Sequence, residues 1–196
     1  MALTIIILLA LLRHLGSWPA AASRSPRFTE EPASGDASLL GVLVTPEQPA
    51  KAMPPIGEDA ARAFFRRFAP VAVSERKKYG VPAAVTLAYA FSNSHAGQKM
   101  PAQQANNYFS LPCTSDWEGD TFEQEGVCFR RYETAWESFR DFSVFMSSQE
   151  WYGAVRRQSG KDWRGWVKAL ERNSGPTAAH TMQAVIEQYG LDELDR

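Results

Sequence analysis

Four short polar side chains in succession, Ser92, Asn93, Ser94 and His95, follow an apolar stretch and are closed by Gly97. Hydroxyl, amide and imidazole groups set side by side can hold a polar ligand through hydrogen bonds. Of these groups only the imidazole titrates near neutrality, because an amide such as Asn93 neither gives nor takes a proton near pH 7. His95 can stand in as an acid, but its place in the run reads as that of an exposed loop histidine. A second set of chemically capable groups lies further on. Glu118, Asp120, Glu123 and Glu125 crowd between Cys113 and Cys128, close in sequence to Trp117, Arg130 and Tyr132. Carboxylates are among the side chains that do general acid–base work.

The polar run needs a helix to deliver it. Gly80 reads as a left-handed helix stop and Pro82 as the first turn of the next helix. From there Val85, Leu87, Ala88 and Phe91 recur at near-helical spacing, which predicts a buried helix of about three turns. Ahead of it, Gly57-Glu58-Asp59 opens a helix with acids at its positive end, and Ala60, Phe64, Phe65, Phe68 and Ala69 share a face. Pro70 is expected to interrupt that helix, and 71–78 to resume it with Val73 inward and Glu75-Arg76-Lys77-Lys78 as a solvated face.

Residues 98–104 read as a polar loop. The stretch 113–132 reads as a small β-like lobe, with Thr121-Phe122 and 127–130 around a turn at Gly126. Residues 133–148 form a helix with Trp136, Phe139, Ser143 and Met146 in step. Asp162 caps a helix over 163–170, and a last helix over 176–189 stops at Gly190.

Composition bounds the class. The 196 residues allow one domain with a real core. A net charge of −1 argues against a nucleic-acid partner, since such binders carry a basic bias. The apolar run from Leu3 to Leu12 is too short to cross a bilayer, which takes about 20 residues. With Ala20 and Ala22 in a small-x-small pattern, 1–22 reads as a signal peptide, although its n-region lacks Lys and Arg; an uncleaved anchor is the alternative. Residues 23–57, rich in Pro, Ala and Ser with one apolar patch at 39–44, read as a flexible linker. Cys113 and Cys128 are the only cysteines. In an exported chain the pair favours a disulfide, contributing roughly 3 kcal/mol in the chain-entropy model, with two buried thiols as the alternative. Two cysteines without a nearby histidine argue against zinc, and no other metal or cofactor is implied.

Several strings resemble one family, the peptidoglycan N-acetylglucosaminidases, family 73 of the glycoside hydrolases, which include flagellar-type muramidases and autolysins. The string from Phe68 to Ala90 is similar to their first two helices. Their next motif is close to A-Q-A-x-x-E-S-x-W-G; Ala88, Ala90, Ser94 and Gly97 match it, whereas Tyr89, Asn93 and Ala96 stand where the family has Gln, the catalytic Glu and Trp. Asn106-Asn107-Tyr108-Phe109 resembles the N-N-x-F of the sugar-binding cleft, although Ser110-Leu111-Pro112 replaces the Gly-Ile-Lys that follows. The segment 113–132, with Cys at both ends of its lobe and C-F-R-x-Y at 128–132, resembles Bacteroidetes-type members. Glu137 to Met146 and Asp162 to Leu170 match two framework helices. Between the last helices only Ser174, Pro176 and Ala179 agree, and the family's two cleft tyrosines fall on Arg172 and Ala178.

The resemblance covers residues 58–191 and leaves 192–196 as a tail. It implies a mainly α (α+β) chain, a lysozyme-like helical domain with a small β-lobe. It places Asn93 at the catalytic position and suggests Glu123 or Glu125 as a second acid. It suggests Tyr89, Asn106, Asn107, Tyr108, Trp117 and Arg130 as substrate-binding residues. Packing is an equal expectation for the Asn pair, Phe109 and Trp117, and the preferred one for Tyr132.

Cleaving a glycosidic bond requires protonation of a poor leaving oxygen, and Asn93 cannot deliver that proton. Loss of a general acid costs about 10²–10⁴-fold in rate. The leading expectation is therefore an exported, catalytically impaired domain that binds peptidoglycan glycan or scaffolds another envelope component. An active hydrolase using a non-standard acid and a protein–protein interaction module are the alternatives. A membrane partner is expected only if the N-terminal segment stays uncleaved.

Overall fold

A computed structural model describes residues 53–196, without the side chains of 173–177. The expected signal segment, and all of the linker before residue 53, lie outside the described residues. The elements run α1 (Glu58–Tyr79), α2 (Ala83–Ser94), α3 (Met100–Ala105), β1 (Thr121–Gln124), β2 (Val127–Arg130), α4 (Ala135–Ser147), α5 (Tyr152–Ser159), α6 (Trp163–Tyr189) and a 3-10 helix, Leu191–Asp195. This is the mainly helical architecture with a two-stranded lobe that the sequence implied. No helix among the described residues is long and apolar enough to cross a membrane.

The central element is α2, which packs against α1, α6 and the 3-10 helix. Ala83, Ala84, Ala88 and Ala90 are fully buried, and their small side chains let the neighbouring helices approach closely. Aromatic rings fill the rest of the core. Phe68 of α1 stacks on Phe139 of α4 with centroids 5.0 Å apart, and Phe109 stacks on Phe142 at 4.1 Å. Tyr89 of α2 joins the same lattice, 4.9 Å from Phe142.

Two expected helix breaks do not occur. Pro70 lies inside a continuous α1. It sits on the exposed side, so the carbonyl that loses its helical N–H partner can turn to water. The α1 face is also shifted: Ala61 is buried, whereas Ala60 is exposed. Residues 163–170 and 176–189 belong to one helix, α6. Trp166, Val167 and Leu170 before Pro176, and Met182, Val185 and Ile186 after it, bury into the same core. That shared burial offsets the roughly 3 kcal/mol a helix-interior proline costs.

Further corrections concern shorter pieces. Residues 100–105, expected as loop, form α3. Trp136, placed on the inward face of α4, is 55% exposed, and that face is made by Ser138, Phe139, Phe142, Ser143 and Met146. α5 occupies a stretch to which the sequence assigned no element. It buries no residue fully.

Residues 192–196, expected as a tail, are part of the packed unit. The Asp195 carboxylate is buried and accepts hydrogen bonds from the Ala83 and Ala84 N–H groups, at 2.7 and 3.0 Å. It thereby caps α2 from 111 residues away. Arg76 Nη1 stands 3.3 Å from the same carboxylate as an ion pair without hydrogen-bond alignment. Burial pushes the Asp195 carboxyl above its ordinary range, while the two backbone bonds and Arg76 pull the other way.

Candidate functional site

Asn93 is the penultimate residue of α2 and is half-buried. Its Nδ2 donates to the Tyr89 carbonyl at 2.9 Å, and its Oδ1 has no hydrogen-bond partner among the described residues. The chain then reverses sharply. His95, Ala96 and Gly97 all have positive φ, at 50°, 54° and 83°. Such a run is costly for the two residues that carry a Cβ. Ser94 stabilises it: its buried hydroxyl donates to the Ala90 carbonyl and accepts from the Gly97 N–H. The reversal brings Lys99 back beside Asn93.

Two cavities meet at Asn93 and Lys99. One, of about 490 Å³, extends toward the hairpin and is also lined by Gln98, Ser110, Gln124 and Glu125. The other, of about 450 Å³, extends toward α6 and is lined by Tyr89, Ser92, Ala178 and Met182. Asn93 therefore sits in the middle of an open groove. Lys99 makes no ion pair among the described residues.

Sheet register decides which carboxylate reaches this groove. Gln124 pairs with Val127 and Phe122 with Phe129, whereas Glu123 pairs with Cys128. Gln124, Val127 and Phe129 line the larger cavity, so alternation puts Glu123 on the opposite face of the hairpin. Glu125 lines the cavity because it lies in the two-residue turn with Gly126, where both residues have positive φ. Among the described residues it is the one carboxylate that lines either cavity.

The other expected site residues are placed as follows. Tyr89 lines the groove. Asn106 ends α3 and donates to the Tyr132 and Glu133 carbonyls. Asn107 is fully buried; it donates to the Leu111 and Arg130 carbonyls and accepts from the Leu111 N–H. Tyr108 is a core ring packed on Phe68. His95 lies 2.8 Å from the Pro54 carbonyl and lines neither cavity.

Trp117 and Arg130 also lie outside both cavities, in a latch that ties the lobe to α4. Arg130 donates to Asp141 at 2.8 Å, to Thr114 and to the Pro112 carbonyl, and its guanidinium lies over the Trp117 ring. Tyr132 donates to the same Asp141 oxygen at 2.6 Å. Burial first, then the Asp141 bond, pushes the Tyr132 phenol far above its ordinary range. The Cys113–Cys128 disulfide closes the lobe, with Cα atoms 5.4 Å apart. No group of three His, Cys, Asp or Glu residues able to hold a metal occurs among the described residues.

The model of one protein family, described as mannosyl-glycoprotein endo-beta-N-acetylglucosaminidase, matches residues 69–191, well over half of the chain. The chain belongs to the glucosaminidase family. No curated protein matches it. The glucosaminidase fold found here is similar to the catalytic domain of the autolysin Auto from Listeria monocytogenes, with a TM-score of 0.58 and 17% identity over 73% of this chain and 91% of that one. It is similar to the glycoside hydrolase domain of FlgJ from Salmonella typhimurium, with a TM-score of 0.57 and 21% identity over 66% and 88%. A peptidoglycan hydrolase from Sphingomonas sp. A1 gives a TM-score of 0.55 and 21% identity over 68% and 92%. At these identities the likeness establishes the fold.

The sequence reading missed Lys99, Gln98 and Ser110. The available signal was a polar stretch directly after Gly97. Its return to the groove depends on three successive left-handed residues, which only Gly97 announces.

Proposed function

We propose that this glucosaminidase domain acts outside the cytoplasm, holding peptidoglycan glycan in the Asn93 groove without efficient hydrolysis. The observation that carries this reading is the neutral side chain at the centre of the groove. Asn93 occupies the position of the family's catalytic Glu by motif, and its amide can hydrogen-bond a sugar but cannot protonate a leaving oxygen. Its Oδ1, without a partner among the described residues, and the Lys99 ammonium suit hydroxyl, acetamido and carboxylate groups of a glycan. Tyr89 supplies an aromatic wall. The disulfide supports an oxidising compartment and therefore export.

One observation favours a second reading, a working hydrolase that uses Glu125 as its acid: among the described residues it is the one carboxylate that borders the groove. Glu125 is exposed at a hairpin tip, however, whereas general acids for this chemistry are carboxyls shielded from water. Muropeptide release from purified sacculi separates the two. The binding reading expects release at the level of the blank from the natural chain and an increase with Asn93→Glu. Release from the natural chain that Glu125→Gln abolishes establishes the second reading instead.

A further inference from the structure

A separate cavity of about 350 Å³ lies at the other end of α2, ten residues and therefore about 15 Å from Asn93. Four cations line it: Arg76 and Lys77 from the last turn of α1, Arg156 from the last turn of α5, and Lys161 just beyond. Among the described residues no carboxylate lines it. Lys77, Arg156 and Lys161 make no ion pair among the described residues; Arg76 alone has one, with Asp195. In a chain of net charge −1 this is a marked local excess.

Cations in the last turn of a helix offset its negative end, which accounts for Arg76 and Lys77 on α1 and Arg156 on α5. It does not account for Lys161, which belongs to neither helix, nor for the convergence of all four on one hollow. The hollow is also shaped for the guanidinium. Gly80 has φ of +78°, and a Cβ there would fall 2.8 Å from Arg156 Nε. Glycine thus allows Arg156 to lie against the α1–α2 turn, beside Tyr152, whose hydroxyl it reaches at 3.3 Å.

We propose that this cavity binds a phosphate group. A tetrahedral phosphate offers several acceptor oxygens at once, which suits the Arg156 guanidinium fork and two ammonium groups, with Arg76 behind them on Asp195, better than a single planar carboxylate does. The volume admits a small phosphorylated molecule as well as a bare headgroup.

The test uses the full chain. Inorganic phosphate is titrated by calorimetry at constant ionic strength, and in a second arm the protein is sedimented with phosphatidylglycerol or phosphatidylcholine vesicles. Each arm is repeated with the single variant Lys161→Gln and with the triple Lys77→Gln, Arg156→Gln, Lys161→Gln, the fold of each being checked by circular dichroism. Saturable phosphate binding, weakened about tenfold by the single variant and abolished by the triple, is the expected result. Binding to phosphatidylglycerol vesicles alone, lost in the same variants, supports the site and assigns its phosphate to a lipid headgroup. Should the triple variant fail to fold, the single variant decides. Absence of saturable binding in both arms, or binding that Lys161→Gln leaves unchanged, overturns the proposal.

Discussion

The two ends of α2 are built in opposite ways. At the N-terminal end the backbone donors that lack a helical acceptor are met by a buried carboxylate, and that carboxylate is paired with Arg76. At the C-terminal end the Asn93 side chain makes one local bond, has no partner for its oxygen among the described residues and faces two cavities. A polar group that holds the fold is buried and bonded to several partners. A polar group left for a ligand is half-exposed and satisfied just enough to be oriented. By that measure Asp195 and Asn107 belong to the frame, while Asn93 belongs to the groove.

The contrast breaks most plainly at Asp195. Asp195→Ala strips two helix donors of their acceptor and leaves Arg76 without its partner, and is expected to lower unfolding stability by about 3 kcal/mol in a denaturant titration. A loss near zero would put the N-terminal end on the same footing as the groove. Asn107→Ala, which orphans buried backbone groups of Leu111 and Arg130, is expected to cost about 2 kcal/mol by the same measurement.

Tyr132 sharpens the comparison through pH. Its folded-state phenol titrates above the ordinary value of 10.0, so the folded chain keeps a proton that the unfolded chain releases. The stability linked to that proton is complete below pH 10 and is lost as pH rises beyond it. Thermal midpoints of the natural chain are therefore expected to fall more steeply above pH 10 than those of Tyr132→Phe. The smallest effect belongs to the groove: Asn93→Glu is expected to change stability by no more than about 0.5 kcal/mol, because the side chain is half-exposed and makes a single bond within its own helix.

What the sequence made legible follows the range of the interactions concerned. The α2 period, the turn at Gly126 and the cysteine pair are local signals, and the helix, hairpin and disulfide are where they place them. Pro70 and Pro176 are also local signals, but packing on both sides of each overrode them. The Asn106-Asn107-Tyr108-Phe109 run shows the limit for the site. A buried amide that ties a loop to a strand and an amide that awaits a ligand are the same residue in one dimension. Only the contacts of Asn107 with Leu111 and Arg130 separate them. Arg130 was likewise legible as a useful guanidinium, but its commitment to Asp141 depends on where α4 lies. Lys99 became part of the groove through a backbone reversal rather than through a pattern of types.

The proposed function requires a groove that holds glycan and leaves it whole. Retention of the natural protein on purified sacculi, measured in the same sample as muropeptide release, tests this most directly. Retention with release no higher than in a protein-free blank is the predicted result. Release that rises in proportion to the protein retained would contradict it.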